Sequence, residues 1–108
     1  YIGNASTDGA FVYLGFRPKF LIVKESSSAG EDWMVWDSVL NPENVVYNHF
    51  YANTNSSLTG SAGGSTRKID FLSNGFKTKV DHASTNATGQ RYVYIAFAEQ
   101  PFKFSNAR

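Results

Sequence analysis

Aromatic side chains interleaved with asparagine and aspartate are concentrated between residues 32 and 55. The side chains that could contact a ligand or another protein are Trp33, Trp36, Tyr47, His49 and Tyr51. An aromatic ring gives a sugar a flat apolar contact, while neighbouring amides and carboxylates bind its hydroxyl groups. The alternative is that one tryptophan packs in the core and that the tyrosines belong to strands or to contacts between subunits. These residues are therefore candidates for glycan binding or for an interface, and both interpretations stay open.

Catalytic and metal-binding patterns are missing from the sequence. His49 and His82 are the only histidines, and neither has metal-ligand spacing, which favours positions at the surface or at a strand edge. Asp32 and Asp37 are five residues apart, so a strand points them to opposite faces and they cannot form a carboxylate pair without a bulge. There is no cysteine, no Gly-x-Ser-x-Gly motif and no phosphate-binding glycine loop. The sequence therefore predicts a protein that is not an enzyme and that holds no metal or cofactor.

Length and charge narrow the class of protein further. The 108 residues fit one domain, and we expect residues 1–108 to be a domain of a longer protein, because the first residue is Tyr1 rather than Met. The net charge of +1 gives no field that would favour nucleic acid or an anionic membrane. The longest purely aliphatic or aromatic run is Phe20-Leu21-Ile22-Val23, so we expect no membrane insertion.

The composition favours an all-β fold. Aromatic residues make up 16% of the chain, and glycine, serine, threonine and asparagine dominate the segments between apolar runs. Residues 10–16, 19–25, 32–39 and 45–51 are predicted strands, and residues 53–66 are a predicted long loop. With no βαβ rhythm, six or seven strands predict an antiparallel β-sandwich or flattened barrel, with a jelly-roll arrangement among the alternatives.

A β-hairpin is predicted for residues 66–81. Asn74-Gly75 between two β-favouring runs indicates a two-residue turn at those positions. That turn would pair Asp70 with Lys79 and Lys68 with Asp81 on one face. The other face would pair Ile69 with Val80 and Phe71 with Thr78. Since charges meet opposite charges and apolar residues lie together, the pattern and the turn agree on this register.

The most β-favouring segment of the chain is residues 89–100. One side of this strand would carry Tyr92, Tyr94, Ala96 and Ala98, and the other Val93, Ile95 and Phe97. Because both faces are apolar enough to be covered, we expect a central strand rather than an edge strand. Pro101 cannot donate to a β-ladder, which ends the strand at or before Gln100.

Several motifs together resemble a known family. They include Gly-Asn-Ala-Ser-Thr-Asp-Gly at residues 3–9, Asp-Trp-Met-Val-Trp-Asp at 32–37, Asp-Phe-Leu-Ser-Asn-Gly-Phe-Lys at 70–77 and Ala-Phe-Ala-Glu-Gln-Pro-Phe-Lys at 96–103. In this order they resemble a domain of unknown function that recurs in tailed-bacteriophage proteins, often within large virion or tail-fibre-type chains. The resemblance covers nearly the whole chain, except for residues 53–66.

The resemblance implies a virion component on the exterior surface or an appendage of the particle. Its partners would be other virion proteins and copies of itself, with no nucleic acid. We therefore expect a structural or display module of a tail fibre, tail tip or capsid surface. The alternative is a receptor- or glycan-binding module that mediates host adsorption, with a host-surface glycan as its ligand. The resemblance brings no catalytic or ligand residues with it.

Overall fold

The computed structural model describes residues 1–60, 63–64 and 67–99. These residues contain seven β-strands and no helix. The strands are β1 (Phe11–Tyr13), β2 (Pro18–Glu25), β3 (Met34–Asp37), β4 (Phe50–Tyr51), β5 (Ile69–Leu72), β6 (Gly75–Thr78) and β7 (Tyr92–Ala98). The predicted run 101–104 lies outside the described residues, as do parts of the predicted loop 53–66.

The strands form a β-sandwich of two antiparallel sheets, which confirms the predicted fold class. One sheet has three strands in the order β1-β6-β5, and the other has four in the order β4-β3-β2-β7. The core lies between them. It is built from the inward residues of both sheets and from Val46: Val12, Leu21, Val23, Met34, Trp36, Val46, Ile69, Phe71, Phe76 and Tyr92.

The central strand of the larger sheet is β2, which pairs with β3 on one side and β7 on the other. Leu21 and Val23 point into the core and are buried. Phe20 and Ile22 point to the other side of the sheet, because successive side chains alternate along a strand. This alternation gives the four-stranded sheet an apolar outer side as well as an apolar inner side.

The prediction that residues 89–100 form a central strand is wrong. Among the described strands, β7 pairs with β2 alone, so it lies at the edge of the four-stranded sheet. Tyr92 is buried in the core, but Val93, Ile95 and Phe97 are exposed on the outer side. Apolar residues on both faces of a strand indicate that both faces favour burial against other residues. They do not show that the residues covering each face belong to the same chain. The predicted end of the strand is confirmed, since β7 ends at Ala98.

The predicted hairpin exists, but its register is two residues away from the prediction. The turn consists of Ser73 and Asn74, and Asp70 pairs with Lys77 rather than with Lys79. Ile69 pairs with Thr78, and Phe71 with Phe76. A shift of two residues keeps every side chain on its predicted face. Lys79 still lies diagonally across from Asp70, with their charged atoms 3.8 Å apart.

Gly75 explains the shifted register. It is a buried strand residue at the start of β6 rather than a turn residue, and it pairs with Leu72 on one side and Tyr13 on the other. A Cβ atom at this position would overlap the carbonyl oxygen of Val12. The glycine is therefore required by the close approach of β1 and not by the turn.

The N-terminal segment closes part of the free edge of β7. The amide of Tyr92 donates to the carbonyl of Tyr1 at 2.8 Å, and the N-terminal ammonium donates back to the carbonyl of Tyr92 at 3.0 Å. The two tyrosine rings are stacked, with 4.9 Å between centroids. These contacts fix one end of β7 to the rest of the sandwich.

Candidate functional site

The most unusual surface of the molecule is the outer side of the four-stranded sheet. We call it the outer face and define it by its apolar side chains: Phe20, Ile22, Trp33, Val35, Phe50, Val93, Ile95 and Phe97. Lys24 and Asp37 are the charged residues of β2 and β3 that share this side. In an antiparallel sandwich the solvent side of a sheet normally carries polar residues at these alternate positions.

Strand register arranges the outer face in rows. The middle row runs across four strands, with Phe50 opposite Val35, Val35 opposite Ile22 and Ile22 opposite Ile95. The row toward the start of β2 contains Asp37, Phe20 and Phe97, and the two phenylalanine rings meet edge to face with 5.9 Å between centroids. Cross-strand neighbours on one face are in direct contact, so the apolar surface is continuous.

Much of the outer face is accessible to solvent, although Val35 in the middle row is only 9% exposed. Val93, Ile95 and Phe97 are 52%, 53% and 58% exposed, and Trp33 is 41% exposed. A shallow depression of about 220 Å³ lies between Trp33 and β7, lined by Ile22, Trp33, Val93, Tyr94 and Ile95. Contiguous apolar patches of this kind on soluble proteins mark sites of interaction. The outer face is therefore the candidate functional site.

Charged residues lie around the rim of the outer face. Lys24 is at one end of β2, and its Nζ donates to the carbonyl of Glu25 at 2.6 Å. Asp37 lies near the other end, where its carboxylate accepts from the amide of Val39 at 2.8 Å. Arg91 and Glu99 are the residues just outside β7 at its two ends, and Glu99 forms an ion pair at 3.1 Å with Arg17, whose guanidinium also donates to the carbonyl of Phe71 in the other sheet. The apolar rows are thus bounded by both positive and negative charges.

Trp33 and Trp36 have different environments. Trp33 lies on the outer face, whereas Trp36 points inward, is fully buried and donates from its indole Nε1 to the carbonyl of Arg67 at 3.1 Å. Trp36 is therefore a core residue, and it cannot contact a ligand at the surface. The two residues are three positions apart in an extended segment, which places them on opposite sides of the sheet.

His49 and Tyr51 form a polar pair on the inner side of the molecule, in which His49 is buried and Tyr51 is partly buried. His49 is 2% exposed; its Nδ1 lies 2.9 Å from the carbonyl of Tyr47 and its Nε2 lies 3.3 Å from the hydroxyl of Tyr51. A neutral imidazole fits both contacts, with Nδ1–H donating and Nε2 accepting. Burial, together with the nearby Arg67 guanidinium, lowers the pKa of His49 below its ordinary value of 6.5. This pair is a structural element of the sandwich.

Tyr47 lies in a separate cleft of about 560 Å³, lined by Asn41, Pro42, Glu43, Asn44, Val45, Tyr47 and Lys68. The asparagines of this cleft fix the backbone around it through side-chain hydrogen bonds. Asn44 donates to the carbonyl of Phe71 at 2.8 Å and accepts from its amide at 2.9 Å. Asn41 Oδ1 accepts from the amides of Tyr47 and Asn48. These side-chain bonds also explain why only Phe50–Tyr51 of the predicted strand 45–51 is a strand.

Of the five predicted site residues, the structure brings the side chains of His49 and Tyr51 together, and Tyr47 contributes its backbone carbonyl to His49. Trp33 belongs to the outer face, Trp36 to the core and Tyr47 to the cleft. The residues that sequence reasoning missed are those of the exposed side of β7, although their alternation was visible. Among the described residues, no group of three or more histidines, cysteines, aspartates or glutamates could hold a metal ion. That part of the chain also has no helix of the length and apolarity needed to cross a membrane.

Comparison with known proteins gives one match. A family described as a domain of unknown function (DUF7483) matches residues 1–101. No curated protein and no solved structure shows significant similarity to the chain.

Proposed function

The chain belongs to the DUF7483 family, a domain of unknown function, and we propose that it is a non-enzymatic structural or display module of a bacteriophage virion. In this proposal it sits on a tail fibre, a tail tip or the capsid surface, and it works by binding other virion proteins and copies of itself. The phage assignment is supported by the sequence resemblance, above all by the motifs at residues 70–77 and 96–103.

The observation that carries the structural role is the outer face. Ile22 and Ile95, direct partners in the middle row, are flanked by exposed Trp33, Val93 and Phe97, with Lys24 as the charged neighbour along β2. Removing apolar surface from water stabilises an association by roughly 25 cal/mol per Å² before the costs of association are subtracted. A sheet that keeps such a surface is suited to packing against protein.

The chemistry of the outer face favours a protein partner over a sugar. Aliphatic side chains surround the exposed indole of Trp33 on the side facing β7. Sugar sites need several polar groups placed to bind hydroxyls, whereas the cores of protein interfaces are apolar with charges at the rim. The charges of Lys24 and Asp37 lie toward opposite ends of the apolar rows in this way.

The proposal is tested on purified particles of the phage that encodes the chain. We expect mass spectrometry to detect the chain in every particle and antibodies against it to label the particle exterior. We expect Ile95→Glu to prevent its incorporation, because it places a charge in the middle row, and Tyr13→Glu on the exposed side of β1 to be incorporated normally. Particles that contain no copy of the chain would overturn the proposal.

A second candidate function is glycan binding at Trp33. Its support is the pair of polar side chains beside the exposed ring: Asn53 Oδ1 accepts from the Trp33 amide at 3.0 Å, and Asn53 Nδ2 donates to Asp32 Oδ1 at 2.9 Å. This function predicts that Trp33→Ala abolishes adsorption of the purified chain to host cells and that Trp33→Phe retains part of it. Adsorption that is unchanged in Trp33→Ala would exclude this site. Trp36→Ala is unsuitable for this test because Trp36 is in the core.

A further inference from the structure

We propose that β7 pairs edge to edge with β7 of a second copy of the chain, antiparallel and around a two-fold axis at Ala96, so that the two four-stranded sheets become one sheet. This inference rests on the proposed function, in which the chain binds copies of itself, and it names the surface and the register of that contact. It follows from the direction of the backbone groups of β7.

The backbone groups of β7 point alternately toward β2 and away from it. Tyr92 exchanges two hydrogen bonds with Tyr1, on the side away from β2. The carbonyl of Arg91 accepts from the amide of Ser26 at 2.8 Å, on the side of β2. The backbone groups that point away from β2 beyond Tyr92 therefore belong to Tyr94, Ala96 and Ala98. We call these three residues the open edge of β7, because no described residue bonds to their outward amides and carbonyls.

The other edge strands of the sandwich are short or covered. β1 has three residues and β4 has two. Just before β4, His49 exchanges two backbone bonds with Thr59, and beside β5 the backbone of Ile69 exchanges two bonds with Val46. β7 is seven residues long and carries neither a charge nor a proline. A long apolar edge without these protective features is a site for the addition of another strand.

The exposure of the outer face is greatest at this edge. Val93, Ile95 and Phe97 are each more than half exposed, whereas Val35 in the middle row is nearly buried. The apolar area that remains in water thus belongs mainly to the edge strand. A strand added beside β7 would cover part of this area, because cross-strand neighbours on one face are in contact.

The N-terminal residue selects the register of the pairing. Tyr1 already bonds to the outward groups of Tyr92, so a second copy can pair only with the open edge. An axis at Ala96 pairs Ala96 with its own copy and Tyr94 with the second copy's Ala98, each as a pair that shares two hydrogen bonds. An axis at Ile95 would place Ala98 opposite Tyr92 and leave its backbone unpaired. The axis at Ala96 therefore satisfies the whole open edge.

The side chains of β7 complement themselves in this register. On the core side, the large ring of Tyr94 lies next to the small side chain of the second copy's Ala98. On the outer side, Ile95 lies next to the second copy's Phe97. The residues from 93 to 98 are uncharged, so the pairing removes no charge from water. An unrelated strand would have to supply the same features, whereas a two-fold contact uses both open edges at once and closes the assembly.

Disulfide crosslinking tests the register directly, since the chain has no cysteine of its own. Ile95→Cys and Phe97→Cys are prepared separately and then mixed in equal amounts with oxidised glutathione. Positions 95 and 97 of the two copies form a pair without hydrogen bonds, with Cα atoms about 4.5 Å apart, which suits a disulfide. Two copies of the same variant place their thiols diagonally, about 7–8 Å apart. We expect the mixture to form covalent dimers roughly fivefold or more faster than either variant alone.

A second test removes one hydrogen-bond donor at the axis. The amide of Ala96 points away from β2, so Ala96→Pro leaves the pairing of β7 with β2 intact and blocks the added strand. We expect the dissociation constant of the dimer to rise by about tenfold or more, because the proline ring also fills the space that the second strand needs. Ala96→Ser retains the amide and is the matched control. Sedimentation velocity at increasing concentration measures association, and circular dichroism verifies folding.

Each outcome separates the pairing from the proposed function. A wild-type chain that is monomeric at all concentrations would overturn the pairing, as would Ala96→Pro that associates as strongly as Ala96→Ser. If Ala96→Pro does not fold, the crosslinking decides, and a mixture that reacts no faster than its components overturns the register. A monomeric chain present in particles would contradict the pairing alone, whereas a dimeric chain absent from particles would contradict only the proposed function.

Discussion

Ile22 of β2 and Ile95 of β7 are direct cross-strand partners on the solvent side of a four-stranded sheet. Ile95 is 53% exposed, although in most sandwiches this position would carry a polar residue. The pair lies within an apolar surface that residues 1–60, 63–64 and 67–99 leave open to solvent. The position of this pair explains why the most β-favouring segment of the sequence, residues 89–100, forms an edge strand.

Truncation of the two tryptophans should lower the free energy of unfolding by very different amounts. Trp36→Ala removes a fully buried indole and its hydrogen bond to Arg67, and we expect it to lower the free energy of unfolding by about 3–5 kcal/mol. Trp33→Ala should cost less, about 1–2 kcal/mol, because Trp33 is 41% exposed rather than fully buried. Urea denaturation of the two variants and of the wild-type chain compares them. Equal losses would contradict the assignment of Trp36 to the core.

The hydroxyl of Tyr92 holds the loop that precedes β7. It donates to the carbonyl of Ala83 at 2.6 Å and accepts from the amide of Ala87 at 2.8 Å. Tyr92→Phe leaves both backbone groups without this partner, so we expect a loss of about 1–3 kcal/mol in the free energy of unfolding. Tyr13→Phe, at a tyrosine that is 69% exposed, is the matched control and should change stability little. A Tyr92→Phe variant as stable as this control would show that the two bonds contribute nothing.

Gly75 should not tolerate a methyl group. In Gly75→Ala the new Cβ meets the carbonyl of Val12, so β1 must move away from β6, and overpacking of this kind costs about 1–3 kcal/mol. Gly63→Ala is the control, since nothing lies within 4 Å of a Cβ at that position. Thermal unfolding of the two variants distinguishes the positions. If both glycines tolerate alanine equally, Gly75 is not needed for the approach of β1.

Stability should fall as the pH drops below about 6.5. Burial lowers the pKa values of His49 and His82 in the folded chain below their ordinary value of 6.5. The unfolded chain therefore binds protons that the folded chain resists, and the free energy of unfolding decreases with falling pH until the folded-state pKa values are reached. His49→Gln should make this decrease shallower between about pH 7 and pH 5. A slope identical to that of the wild type would contradict the lowered pKa of His49.

The fold class was predictable because alternation and turn residues are local signals. The run that became β2 was recognised within one residue and the run that became β7 within three, and Asn74-Gly75 correctly indicated a hairpin. The register of the hairpin was not predictable, because the role of Gly75 depends on β1, which is more than 60 residues away along the chain. Nothing in a single run of sequence reports which strand approaches it.

The candidate site was only partly predictable, for a related reason. The apolar side chains Val93, Ile95 and Phe97 were visible, but a covered face and a face awaiting a partner have the same sequence pattern. Likewise, period-two alternation shows that Trp33 and Trp36 point in opposite directions without showing which direction leads to the core. Only the arrangement of strands decides this, since the second sheet packs against one side of β3.

The most direct test of the claim that the outer face is covered in its working state is hydroxyl-radical footprinting of intact particles. The same chain at a concentration low enough to be monomeric provides the reference, and mass spectrometry reads oxidation residue by residue. We predict that Trp33 and Phe97 are protected in the particle, whereas Tyr13 on the other sheet is oxidised in both samples. Equal oxidation of Trp33 and Phe97 in particle and monomer would contradict the account, because it would mean that no partner covers the outer face.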